Sequence, residues 1–219
     1  MKKSLILSIV MTLVLVISMS TATFAWYTAN DTVTANTAQV TASTAAGNLK
    51  ISKTGADDSW STTITFDAPA TATVPMMPTD ADLTAFATAT KNADNTITYS
   101  EGASVQTYTF YLSNVNSDEL VLDFTVTPTD GTSTSSLRYA ILQGSTIYEA
   151  KAFNYLTATD DGVTADAVAS AEAINKNYTI ATNAASVAFT VLLWHDGASM
   201  VNAEGGKTSS ISISIGKAA

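Results

Sequence analysis

A search for chemistry in this chain starts at His195-Asp196, because His195 is the only histidine. An imidazole beside a carboxylate suggests half of a Ser-His-Asp set. Adjacent residues seldom face a common point, however, and Gly197 follows as a turn signal. The alternative reading is a solvated turn histidine. The zinc-protease pattern HExxH needs two histidines one helical turn apart with a glutamate, and a lone histidine cannot supply it. There is no cysteine, which removes disulfides, thiolate metal sites and cysteine nucleophiles. No catalytic residue and no cofactor is assigned on this reading.

Carboxylates come next. Asp57-Asp58, Asp80 with Asp82, and Asp160-Asp161 with Asp166 are acid pairs in polar stretches. Calcium takes roughly 6–8 oxygens from clustered ligands. None of these pairs has EF-hand spacing, so they offer at most a weak surface calcium site; solvated turns are the bland alternative. A Lys–Asn isopeptide has its residue types present, but the sequence does not pair them. Trp60, Tyr99, Tyr108, Tyr111, Tyr139, Tyr148 and Tyr155 could line a sugar platform, although such rings more often pack in a core or on a sheet face.

The stretch Thr21–Ser43 decides how the remaining chain is presented. Lys2 and Lys3 form a positive start, and Leu5–Met19 is apolar except at Ser8, Thr12 and Ser18. Thr23-Phe24-Ala25 places small residues where a signal peptidase needs them. Residues 1–25 are therefore predicted to be a secretory signal peptide cut between Ala25 and Trp26. The apolar run falls short of the roughly 20 residues of a membrane span. An uncleaved anchor is the alternative. A type IV pilin leader lacks its Gly-Phe-type junction here.

Past the junction, Thr and Val favour extended chain, because a branched Cβ packs well on a pleated surface. Tyr27, Ala29, Val33 and Ala35 share one face. After Asn36-Thr37 the apolar set moves to Ala38, Val40 and Ala42. A change of parity implies a break in register. The expectation is an extended arm, residues 26–36, joined to a body, residues 37–219. One continuous edge strand with a bulge is the alternative.

The chain has 219 residues with a formal charge of −9; loss of Lys2 and Lys3 with the signal makes it −11. One domain of this size is ordinary. So acidic a surface repels nucleic acid and anionic membranes, so nucleic acid is not an expected partner, and the membrane is met only through the signal. No LPxTG sequence appears, and sortase anchoring is not expected.

The strand signals follow at period two. Leu49–Ile51 and Ile64–Phe66 come first. Val105–Leu112 and Leu120–Thr127 flank the polar stretch Asn114–Asp118 and predict an antiparallel hairpin. Leu137–Leu142 and Thr146–Tyr148 predict a second around Gln143-Gly144-Ser145. Tyr178–Ile180, Ser186–Trp194 and Ser209–Ile215 close the set. Ser186–Trp194 is apolar on both faces and so reads as a central strand. Pro69, Pro75 and Pro78 mark Asp67–Asp82 as a loop or edge excursion. Short helices are expected over Asp80–Ala89, capped by Thr79, and within Asp161–Asn175. The fold class expected is all-β: an antiparallel jelly-roll-like β-sandwich with one or two short helices in the connections.

Both ends of the chain also resemble a known family. The junction ATFAWYTANDTV is similar to leaders cut by a SipW-type signal peptidase. The segment VLLWHDGASMVNAEGGKTSSISISI resembles the C-terminal pattern of TasA/camelysin-like surface proteins. There a strand ends in Trp, and a Gly turn, an Asn, a Gly-Gly-Lys turn and a final strand follow. Trp194, Gly197, Asn202, Gly205, Gly206 and Lys207 occupy those positions. The segment TYTFYLSNVNSDELVLDFTVTP resembles the family's strand–turn–strand about an Asn. The resemblance implies an exported jelly-roll-like subunit of an extracellular or biofilm-matrix fibre, with no cofactor. It implies head-to-tail assembly with further copies of itself by donor-strand pairing. Trp26, Tyr27, Ala29, Val33 and Ala35 are the arm residues placed to do this; other matrix proteins or polysaccharide are further candidate partners. The contrasting expectation is a monomeric cell-surface adhesin or carbohydrate-binding module.

Overall fold

A computed structural model describes residues 34–43, 49–56, 59–66, 75–91, 97–128, 136–159, 162–171, 173–197 and 208–218. The predicted signal peptide and most of the predicted arm lie outside these residues. The described chain is all-β. In order the strands are β1 (Thr34–Ser43), β2 (Leu49–Ser52), β3 (Thr63–Thr65), β4 (Met76–Pro78), β5 (Phe86–Lys91), β6 (Ile97–Glu101), β7 (Gln106–Asn114) and β8 (Leu120–Pro128). There follow β9 (Leu137–Gln143), β10 (Thr146–Ala150), β11 (Phe153–Thr159), β12 (Gly162–Ala171), β13 (Ile174–Asn175), β14 (Tyr178–Ile180), β15 (Val187–His195) and β16 (Thr208–Lys217).

Two sheets make the sandwich. One has five strands in the order β14-β8-β16-β1-β3, the other six in the order β13-β10-β9-β15-β7-β2. Val40, Leu122, Phe124 and Ile213 from the first sheet meet Phe110, Ile141, Phe189 and Val191 from the second in one core. Strand pairing is antiparallel except between β1 and β16, which run parallel. The last strand thus lies between β1 and β8 and ties the first and last described strands into one sheet.

The six-stranded sheet is buried on its other face as well. There Ala140, Leu142, Leu192 and Trp194 pack against Met76, Phe86 and Phe153. Those partners come from a three-stranded sheet, β4-β5-β6, and a two-stranded ribbon, β11-β12. Burial on both sides explains why β15 is apolar at consecutive positions: a strand with two covered faces has no side on which to place polar residues. β15 is central, between β9 and β7, as its pattern predicts. The β9–β10 hairpin also forms as predicted, with Gln143 opposite Thr146 and Gly144 at φ 62 in the turn. Pro78 stands on β4, an edge strand, where a missing donor costs little.

Three expectations are corrected. β7 and β8 do not form a hairpin; they belong to different sheets, and the chain arches between them. Asn114, fully buried, anchors that arch: its Nδ2 donates to the Asp118 carbonyl at 2.9 Å and the Ala181 carbonyl at 3.0 Å. No helix forms over Asp80–Ala89. Asp80 accepts from the Thr84 amide at 2.9 Å and Leu83 takes a φ of 57, a left-handed conformation that ends any helix, before β5 begins. Where it is described, the segment Asp161–Asn175 is also strand, β12 with β13. Its Ala-rich sequence suits a helix, but pairing with β11 satisfies its main chain instead.

Candidate assembly surface and buried polar cluster

Of the arm, Trp26, Tyr27, Ala29 and Val33 lie outside the described residues, as does the cleavage point at Ala25. Ala35 is described in its main chain and belongs to β1, opposite Ser209. The predicted register break is present as an irregularity between Ala35 and Ala38. It does not end the strand, however: β1 continues to Thr34, which pairs with Thr208. The continuous strand with a bulge therefore describes this joint: β16 flanks it on one side, and on the other β3 pairs only with Gln39–Thr41. Ala35 thus pairs within its own subunit's sheet.

The C-terminal turn pattern is a packing device where it is described. Trp194 is fully buried, edge-on to Phe86 at 5.3 Å and Phe153 at 5.7 Å. Gly197 donates its amide to the Met76 carbonyl at 3.1 Å. A Cβ on Gly197 would stand 2.3 Å from that of Ala89, so only glycine lets β15's end approach β5. Together these residues clamp the outer layer onto the sandwich. Asn202, Gly205, Gly206 and Lys207 lie outside the described residues.

His195 is not a solvated turn residue. It ends β15 opposite Leu137, is fully buried, and its Nδ1 lies 2.9 Å from Ser136 Oγ. Asp196 points from the opposite face, since side chains alternate along a strand. Its carboxylate meets the Arg138 guanidinium at 3.3 Å, and only 1% of its side chain is exposed. The imidazole and the carboxylate thus serve different layers and do not converge as a Ser-His-Asp set. Tyr99 senses this buried acid: burial first, then the Asp196 charge, raises its phenol above the ordinary range.

Asp80 organises the Thr84 turn, and Asp82 is exposed beside it. Asp57, Asp58, Asp160 and Asp161 lie outside the described residues. Among the described residues no three His, Asp or Glu side chains gather as a metal site. The seven aromatics weighed as a sugar platform are all buried or half-buried. Tyr108 lies against Phe66 at 4.9 Å, and Tyr148 meets Tyr178 edge-on at 5.1 Å.

The feature the sequence did not mark is an open edge. β8 pairs with β16 from Leu122 to Pro128 on one side. On its other side β14 covers only Leu120–Leu122. Among the described residues, Asp123–Pro128 has no strand there. Phe124 is buried on the inner face, while Thr125 and Thr127 are exposed on the outer one. An edge of this length presents unpaired main-chain donors and acceptors. The period-two pattern of Leu120–Thr127 did indicate a strand; assigning it to a hairpin with β7 hid the edge.

No protein-family model matches the chain, and no curated protein matches it.

Proposed function

We propose that the chain is a secreted structural subunit of an extracellular filament or matrix, assembling head-to-tail by strand addition. The observation that carries the reading is the open edge of β8, Asp123–Pro128. The donor is Trp26–Val33, freed by cleavage after Ala25. Six edge residues span roughly 20 Å and eight arm residues roughly 26 Å, so the arm is long enough to cover the edge. Strand addition supplies main-chain hydrogen bonds, with side-chain pockets for register. A donor and acceptor on different parts of one subunit make a heterologous contact, which propagates as a filament. The resemblance of both chain ends to TasA/camelysin-like proteins supports the same reading.

Two variants test it. Deleting Trp26–Val33 should leave a folded, soluble monomer without filaments, and a peptide of those residues should bind that monomer and cap growth of the intact protein. Lysines at Thr125 and Thr127 should block growth without unfolding, because both side chains are exposed and charge blunts an edge. Electron microscopy showing normal filaments from either variant would refute this assembly. N-terminal sequencing of secreted protein should read Trp-Tyr-Thr.

A further inference from the structure

One short strap closes the flank of the sandwich beside that edge. Ile174 and Asn175 of β13 pair with Ala150 and Glu149 of β10, at the margin of the six-stranded sheet. The Lys176 amide donates to the Tyr148 carbonyl at 2.7 Å. Three residues later the same chain, as β14, pairs with Leu120–Leu122 of β8 in the facing sheet. The strap, residues 174–180, thus crosses from one sheet to the other. It shields the first part of β8, and among the described residues no strand covers Asp123–Pro128.

Glu149 sits where the strap attaches. It is 9% exposed and lies opposite Ile141, a residue of the sandwich core, so it shares that inner face. Its Oε1 accepts only a long hydrogen bond, 3.4 Å, from the Tyr139 hydroxyl of β9. Its Oε2 is buried with no hydrogen-bond partner among the described residues. Across the flank, Asp123 of β8 contributes a second negative charge, and from β13 the facing residue is the neutral Asn175. Tyr148 on β10 and Tyr178 on β14 pack edge-on to each other nearby. Burial costs a carboxylate here far more than a neutral carboxyl, and the Asp123 charge disfavours the carboxylate further.

We propose that Glu149 is a protonation latch on the strap: a neutral carboxyl keeps the strap seated, and a carboxylate loosens it. Loosening extends β8's open edge from Asp123–Pro128 toward Leu120–Pro128. The consequence for assembly rests on the filament reading above; the latch itself is a property of the single subunit. The chemistry agrees in direction. Burial, partly opposed by the Tyr139 hydrogen bond and aided by Asp123, pushes the Glu149 carboxyl up to about 7 from an ordinary 4.5. A raised native value means that the folded chain holds the proton more tightly than the unfolded one. Stability from this group is therefore full below the ordinary value and falls as pH rises to the native one.

Amide hydrogen exchange of the purified protein, corrected for its intrinsic pH dependence, tests the latch. Between about pH 5.5 and about pH 8.5, exchange at Lys176 and Tyr178–Ile180 should accelerate roughly tenfold or more beyond that correction. Glu149→Gln, a neutral isostere, should stay slow at both values. Asp123→Asn should move the midpoint down. Equal acceleration in Glu149→Gln and the unaltered protein, or none in the unaltered protein, would overturn the latch. A carboxyl-carbon NMR titration of Glu149 with a midpoint at the ordinary glutamate value would do so too. Filament growth, followed separately, should be faster at the higher pH and lose that dependence in Glu149→Gln. If the strap opens but growth does not respond, the latch stands and the assembly edge is elsewhere.

Discussion

Phe189 is where the sandwich core is most aromatic. Phe110 stacks on it at 5.4 Å, Phe124 lies tilted at 5.4 Å, and Tyr178 meets it edge-on at 5.0 Å. The ring is fully buried, so no relaxation short of collapse fills the space it leaves. Phe189→Ala should therefore cost about 3–5 kcal/mol in urea unfolding, and a loss below about 1 kcal/mol would contradict the packing described. This residue was legible in the sequence, because Val187, Phe189, Val191 and Leu193 alternate with other apolar residues. His195, six positions on, was not. Asp-Gly after it reads as a turn, but β9 and β4 hold the main chain extended as far as Asp196. The ionisable pair Glu149–Tyr139 was equally invisible. A glutamate in a mixed strand shows its burial only when the covering strand is known. Its neighbour's phenol is pushed up to about 12 by burial first and then by the Glu149 charge and hydrogen bond.

Between elements, the informative unit is the arch from β7 to β8. Two strands around Asn-Val-Asn-Ser-Asp suggest a hairpin by local pattern alone. What separates them is a set of distant contacts: Asn114 reaches the Ala181 carbonyl, and Ser113 Oγ donates to the Ala184 carbonyl at 3.1 Å. Asn114 Oδ1 also accepts from the Asn116 amide at 3.0 Å. Asn114→Ala removes three hydrogen bonds at once, leaving the Asp118 and Ala181 carbonyls and the Asn116 amide without that side chain. The expected loss is about 2–4 kcal/mol, read by chemical denaturation, against under about 1 kcal/mol for an exposed polar residue such as Thr125. An Asn114→Ala variant as stable as the parent would mean that the arch is held by its strands alone. The same logic explains the two absent helices. Alanine and capping signals are local, whereas β12 and β5 exist because an adjacent strand offers a ladder. Where both ladder and pattern agreed, as in the β9–β10 hairpin, the sequence sufficed.

For the whole molecule, charge sets a condition on the proposed assembly. With residues 1–25 removed the subunit carries −11, from 8 Lys and Arg against 19 Asp and Glu. Two such subunits repel as they approach, so a filament built from them needs short-range contacts that outweigh the repulsion. Strand addition provides them, since main-chain hydrogen bonds and buried apolar side chains are little affected by salt. The approach is affected, because the screening length falls from about 30 Å at 0.01 M salt to about 3 Å at 1 M. Filament growth should accelerate as sodium chloride is raised from about 10 mM to about 0.5 M. Preformed filaments should persist at the upper value and also survive chelation of divalent cations. Light scattering for growth and sedimentation for persistence measure the two halves separately. Growth that slows with salt would mean that opposite charges bring the subunits together. Filaments that dissolve on chelation would mean that bridging cations hold them, and in either case an arm seated along β8 would no longer account for the polymer.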